Sequence, residues 1–201
     1  MTKIKICGLY RLCDMDYVNR AGPDWCGFVI NFPKSHRSVT PEQARKLRSG
    51  LSRHVRPVGV FVDRPAEEVV ALLNDGTIAA AQLHGHEDET YIARIRALAP
   101  GYEIWKAFQI RSAVDLDAAN ASTADLVLLD NGYGTGETFD WSLAGGVKRP
   151  FLLAGGLTPE NIPGAIRQLR PYGLDVSSGV ETDKKKDPSK ILAAVAAARK
   201  E

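Results

Sequence analysis

The sequence predicts an α/β protein, a closed (β/α)₈ barrel in a single domain spanning residues 1–201. Three observations predict it. Eight short apolar runs recur at steps of 22 to 31 residues. Amphipathic segments fill the intervals, as helical crossovers between parallel strands require. Each run gives way within two residues to small or polar residues, where the fold places its chemistry. An open doubly wound sheet is the alternative, but the eightfold count favours closure.

The runs, in order, are Lys3–Cys7, Cys26–Ile30, Val58–Phe61, Ala79–Leu83, Glu103–Phe108, Leu126–Asp130, Phe151–Ala154 and Leu174–Ser177. Between them, Glu67–Leu73 and Tyr91–Leu98 carry apolar residues at helical spacing. Helix starts are expected at Thr40-Pro41, Thr158-Pro159 and Asp187-Pro188. In each, a side-chain oxygen accepts an orphan amide, and the proline sits where its missing N–H costs nothing. Thr40-Pro41-Glu42-Gln43 also has the form of a capping box. Short loops and an even composition leave no room for a linker.

Strand parity sharpens the picture. Ile4 and Ile6 share one face of the first run, Lys5 and Cys7 the other. If the isoleucines pack on helices, Lys5 and Cys7 point into the barrel and face one mouth. Leu126, Leu128 and Asp130 share a face, as do Asp175 and Ser177.

Composition removes several function classes. Of 201 residues, 44% are hydrophobic and 25% charged, the balance of a globular chain. A net charge of +2 argues against a nucleic-acid binder. The cationic run Lys184-Lys185-Lys186 reads as a solvated loop. Three cysteines, Cys7, Cys13 and Cys26, fit neither a disulfide framework nor zinc spacing. No apolar run approaches a membrane span, and no signal peptide opens the chain, so a cytoplasmic protein is expected.

Candidate chemistry lies at the ends of the runs. Cys7 is either a buried small hydrophobe or a reactive thiol whose pKa the neighbouring Lys5 lowers. Asp130 ends an apolar strand, and is either an Asx cap or a partly desolvated acid able to donate a proton. Arg37 is either a surface cation or a bidentate partner for a carboxylate. Gly155-Gly156 and Ser178-Gly179 follow the seventh and eighth runs, where barrels commonly bind phosphate. Asn131–Glu137 is glycine-dense and reads as a flexible turn or a mobile lid.

Together these residues resemble the phosphoribosylanthranilate isomerase family. The resemblance rests on Lys5-Ile6-Cys7-Gly8-Leu9, Lys34-Ser35-His36-Arg37, Val58-Gly59-Val60-Phe61, Gln82-Leu83-His84-Gly85, Trp105-Lys106-Ala107-Phe108, Leu128-Leu129-Asp130, Gly134-Thr135-Gly136 with Phe139-Asp140-Trp141, Ala154-Gly155-Gly156-Leu157 and Asp175–Glu181. It implies an Amadori rearrangement of N-(5-phosphoribosyl)anthranilate, with Cys7 as general base, Asp130 as general acid and Arg37 on the anthranilate carboxylate. It implies a small phosphosugar substrate and no cofactor; no nucleic-acid or membrane partner is expected, and the protein is expected to be a monomer or homodimer. The sequence departs from the family at His36, at Gly132-Tyr133-Gly134 and in the segment after Glu181. The histidine-pathway sugar isomerase, which uses an aspartate where Cys7 stands, and a non-catalytic phosphosugar-binding barrel are the competing readings.

That assignment carries an expectation about tuning. The ordinary pKa values of an aspartate and a cysteine, ~3.9 and ~8.5, are the wrong way round for an acid and a base near neutrality. Burial is expected to raise Asp130, and Lys5 to lower Cys7. His84, ending the fourth run, is the alternative acid.

Overall fold

The computed structural model describes residues 1–130 and 141–200. Eight parallel strands form the barrel: β1 (Lys3–Cys7), β2 (Trp25–Ile30), β3 (Arg56–Phe61), β4 (Ala80–Leu83), β5 (Glu103–Gln109), β6 (Leu126–Asp130), β7 (Phe151–Leu153) and β8 (Gly173–Val176). Each pairs with the next in chain order. Closure comes from β1, which pairs with β2 through Lys5 opposite Trp25, and with β8 through Lys5 opposite Asp175. Helices α1 (Leu12–Ala21), α2 (Pro41–Ser49), α3 (Ala66–Asn74), α4 (Glu89–Leu98), α5 (Ala113–Ala121), α6 (Ile162–Leu169) and α7 (Pro188–Lys200) surround it.

Alternation along the strands builds two apolar layers. Ile4, Ile6, Leu83, Val127, Leu129 and Val176 face the helices in one continuous core. Trp25, Val58, Ala80, Trp105, Leu126, Leu128 and Leu152 fill the barrel interior. The inward face of β1 therefore carries Lys5 and Cys7, as parity requires.

The capping signals have mixed outcomes. Thr40 caps α2, accepting from the Gln43 amide at 3.2 Å, while the Gln43 side chain accepts from the Thr40 amide at 2.8 Å. Asp187 caps α7, accepting from the Ser189 and Lys190 amides. Thr158-Pro159 does not start a helix. There the Thr158 carbonyl accepts from the Asn161 and Ile162 amides in a turn, and α6 begins at Ile162. Between β6 and β7 the described residues hold a 3₁₀ segment, Trp141–Gly146, in place of an α-helix.

The cationic run also differs from expectation. Glu181-Thr182 and Lys185-Lys186 pair as a two-stranded antiparallel hairpin. Asp183 and Lys184 turn it, with φ of 50° and 60°. The hairpin brings Lys186 inward, and its side chain is fully buried. Only the first two lysines are solvated.

Candidate active site

A cavity of about 300 Å³ opens at the C-terminal ends of the strands. Its lining includes Cys7, Arg37, His84, Asp130, Gly155, Gly156 and Ser178. The structure thus gathers the expected base, acid, carboxylate ligand and phosphate turns around one space. Among the expected site residues, Gly179 lies just behind this lining: a Cβ there would collide with the Leu157 carbonyl oxygen, so its hydrogen lets the turns after β7 and β8 pack together. Gly155 and Gly156 adopt φ of 85° and 63°, which a side chain would strain. The glycine-dense segment Asn131–Glu137 lies outside the described residues, and its reading as a lid with it.

Cys7 stands at the inner end of this cavity, 8% exposed. Space for it is made across the strand pair by Gly27, where a Cβ would meet Cys7 Sγ at 2.7 Å and Lys5 Nζ at 3.1 Å. Lys5 does not reach the mouth. It lies one layer below, fully buried, with Nζ donating to Gln82 Oε1 at 2.7 Å and to Asp175 at 3.0 and 3.1 Å. Burial alone would strip its proton, but Asp175 and Cys7 outweigh it and hold Lys5 charged, above the ordinary lysine value.

The expected effect of Lys5 on Cys7 is overturned in its net sign. Burial pushes the thiol up, and Asp175 pushes it further. Lys5 and Lys186 pull it down, as an ammonium should, but do not prevail. Desolvation of a thiolate at the bottom of a cavity outweighs one buried cation that already serves a carboxylate.

Asp130 ends β6 with its side chain 11% exposed. His84 Nε2 lies 3.1 Å from Asp130 Oδ2, and His84 Nδ1 lies 3.1 Å from Gln82 Nε2. The residue expected as the alternative acid is thus a partner of the first. Gln82 and Asp175 had no role assigned from sequence. Their signal was there to find, since each is a polar residue at an inward position of an otherwise apolar strand, where burial without a partner is costly.

Arg37 arrives from the loop after β2. Ser35 and Ser38 hydroxyls accept from the backbone of Arg37 and Phe32 and shape that loop. The Arg37 side chain crosses Gly8, whose φ of 77° and missing Cβ leave the passage open. Its guanidinium donates from Nε and Nη2 to both oxygens of Glu181, at 2.6 and 2.7 Å. Lys186 Nζ donates to the same carboxylate at 2.7 Å and to the Ser177 carbonyl at 2.8 Å. Although burial works the other way, Arg37 and Lys186 draw Glu181 down to about 2. Lys186 is held below the ordinary lysine value by burial, with Glu181 opposing. Among the described residues, no His, Cys, Asp or Glu side chains cluster as a metal site needs, and no helix is long and apolar enough to cross a membrane.

Comparison with known proteins points one way. The sequence profile described as N-(5'phosphoribosyl)anthranilate (PRA) isomerase matches residues 4–197. The N-(5'-phosphoribosyl)anthranilate isomerase of Caldanaerobacter subterraneus subsp. tengcongensis is 41% identical over 198 residues, 95% of each chain. That of Acetivibrio thermocellus is 41% identical over 204 residues, covering 95% of this chain and 93% of its own. The crystal structure of phosphoribosyl anthranilate isomerase from Thermotoga maritima superposes with a TM-score of 0.88 at 35% identity, covering all of both chains. A phosphoribosyl anthranilate isomerase in complex with reduced 1-(o-carboxyphenylamino)-1-deoxyribulose 5-phosphate superposes with a TM-score of 0.85 at 34% identity, again over both whole chains.

Proposed function

The chain belongs to the N-(5'-phosphoribosyl)anthranilate isomerase family, and from that premise we propose how its own residues divide the work. The reaction is the isomerisation of N-(5'-phosphoribosyl)anthranilate to 1-(2-carboxyphenylamino)-1-deoxyribulose 5-phosphate, an Amadori rearrangement in tryptophan biosynthesis. The substrate is a small phosphosugar. The observation that carries the assignment is the single cavity onto which Cys7, Arg37, Asp130, Gly155, Gly156 and Ser178 all open.

Asp130 is the general acid. It protonates the furanose ring oxygen, the C1–O bond breaks, and the anthranilate nitrogen lone pair forms a C1=N iminium. Cys7 is the general base. As thiolate it takes the proton from C2, the C2–H electrons form the C1–C2 double bond, and the iminium is neutralised to an enolamine. Tautomerisation of the enolamine gives the ketone. Each step is a proton transfer on a held substrate, within the roughly 10²–10⁴-fold that a positioned acid or base supplies. The steps ask for no metal or organic cofactor.

The raised thiol is compatible with this order. Lys5 and Lys186 already pull Cys7 toward ionisation. The positive iminium made in the first step adds to their side, so Cys7 gives up its thiol proton to solvent and stands as thiolate when the proton on C2 becomes acidic.

Arg37 receives the anthranilate carboxylate. Its Nε edge is taken by Glu181, which leaves Nη1 to meet the substrate. The amides of Gly155, Gly156, Ser178 and Gly179 receive the phosphate, unhindered by side chains at the glycines. We place the enzyme in the cytoplasm, as a monomer or homodimer. A turnover assay with phosphoribosylanthranilate, read as loss of its fluorescence, tests the whole assignment. Turnover lost on Cys7→Ala and on Asp130→Asn supports the division of roles, and full retention in either variant overturns it.

A further inference from the structure

The cavity's acid is linked to the buried layer beneath it by a chain of side chains whose direction can be read. It runs from Lys5 Nζ to Gln82 Oε1 at 2.7 Å, from Gln82 Nε2 to His84 Nδ1 at 3.1 Å, and from His84 Nε2 to Asp130 Oδ2 at 3.1 Å. An ammonium has three donors and no acceptor, whereas an amide has a donor end and an acceptor end. Whatever faces Lys5 must accept. The Gln82 oxygen is therefore turned to Lys5, and its NH₂ is turned to His84. The reverse orientation would set NH₂ against NH₃⁺ at hydrogen-bond distance, in a place from which water is excluded. Gln82 and Lys5 are both fully buried, so the error could not be screened.

The direction then passes through the ring. With Gln82 donating to Nδ1, a neutral His84 carries its hydrogen on Nε2 and donates to Asp130. We propose that Lys5 and Gln82 are positioning residues that lock His84 as an Nε2–H donor to Asp130, and that this lock supports proton delivery by Asp130. The proposal rests on the reading of Asp130 as general acid. It extends that reading to a specific task for Gln82, which is linked to Asp130 through His84.

The chemical value lies in the change of charge at Asp130. A neutral acid gains little from a donor at Oδ2. The carboxylate left after the proton is delivered gains a charge-assisted hydrogen bond, which is shorter and about twice as strong as a neutral one. The interaction thus strengthens as the ring oxygen is protonated, and such interactions raise kcat rather than lower KM. The other tautomer would present a bare nitrogen lone pair to the developing carboxylate and repel it. Lys5 is kept charged for this task by Asp175 across the β1–β8 pair, at 3.0 Å. The same ammonium acts on Cys7, so one buried cation addresses the base directly and the acid through two side chains.

The test is nitrogen-15 NMR of histidine-labelled enzyme, free of ligand, in mildly alkaline buffer. The His84 resonances are assigned by their loss in His84→Gln. In the wild type, Nε2 is expected to be protonated and Nδ1 bare. A hydrogen on Nδ1 overturns the proposal without any variant having to fold. Gln82→Glu is close in shape, and its carboxylate accepts from Lys5 but cannot donate to Nδ1. It is expected to move a hydrogen onto Nδ1 and to lower kcat about tenfold, a fraction of the roughly 10²–10⁴-fold owed to a positioned acid, with KM little changed. His84→Gln, which keeps an N–H donor for Asp130, is expected to retain more kcat than His84→Leu. A wild-type kcat in Gln82→Glu, or equal losses in His84→Gln and His84→Leu, overturns the proposal. Failure of the acid assignment itself shows separately, as an Asp130→Asn enzyme that keeps its kcat.

Discussion

Arg37 and Glu181 stand 144 residues apart in sequence and meet through two parallel hydrogen bonds, Nε to Oε1 at 2.6 Å and Nη2 to Oε2 at 2.7 Å. This fork fixes the plane of the guanidinium, which a long arginine side chain does not hold by itself. Lys186 fixes Glu181 in turn. In the role proposed for Arg37, the substrate carboxylate would meet a guanidinium already aimed, with the ordering entropy spent in folding rather than in binding.

Arg37→Ala is expected to act on binding. Losing a hydrogen bond to a charged group costs about 1.5–3 kcal/mol, which is a rise in KM of roughly ten- to more than a hundredfold. Steady-state kinetics checks it. An unchanged KM would return Arg37 to the solvated surface.

The Arg37–Glu181–Lys186 cluster also sets an acid limit on stability. Glu181 is drawn from an ordinary 4.5 to about 2 in the folded protein. A carboxylate depressed by folding stabilises the native state above its unfolded pKa, and that contribution is lost as pH falls through the folded value. Thermal unfolding of wild type and Glu181→Gln should differ most above about 4.5 and converge toward about 2. A Tm difference that stays constant over this window would show that Glu181 does not titrate as described.

Cys7→Ala should abolish turnover while a reduced product analogue still binds, because the proton on C2 then has no acceptor. Alkylation of the wild type, followed at the Cys7 peptide by mass spectrometry, should accelerate with a midpoint above the ordinary thiol range, since burial and Asp175 push the thiol up. A midpoint below that range would mean that Lys5 prevails after all.

Asp130→Asn should lose most of its kcat, on the order of 10²–10⁴-fold, because an amide cannot give up a proton to the ring oxygen. Its Cys7 should still alkylate. A variant that keeps most of its kcat would place the acid elsewhere.

A crystal grown in phosphate should show the anion against Gly155-Gly156 and Ser178-Gly179. Inorganic phosphate should also compete with substrate in the assay. The anion bound elsewhere, with these amides turned away, would reject the phosphate assignment.

What the sequence determined by itself was local and periodic. The strand runs agree with the barrel strands within a few residues, because burial on two faces imposes apolar runs of fixed length. Thr40 and Asp187 were legible as caps because capping is settled within one helical turn. Cys7, Asp130 and the glycine turns could be singled out as candidates because strand ends converge on one mouth in this fold, while the roles proposed for Cys7 and Asp130 came from the family resemblance. Thr158-Pro159 carried the same local signal as Thr40-Pro41, yet it forms a turn closed by local bonds to Asn161 and Ile162. Only the folded chain decided which cations were spent on which carboxylates. Lys5 serves Asp175 and Gln82, and Lys186 leaves a run of three lysines to reach Glu181. The net sign of the Cys7 shift depends on those pairings and on how completely water is excluded, and both arise between strands distant in sequence. Desolvation and charge pairing are sums over neighbours in space, so residue order alone does not contain them.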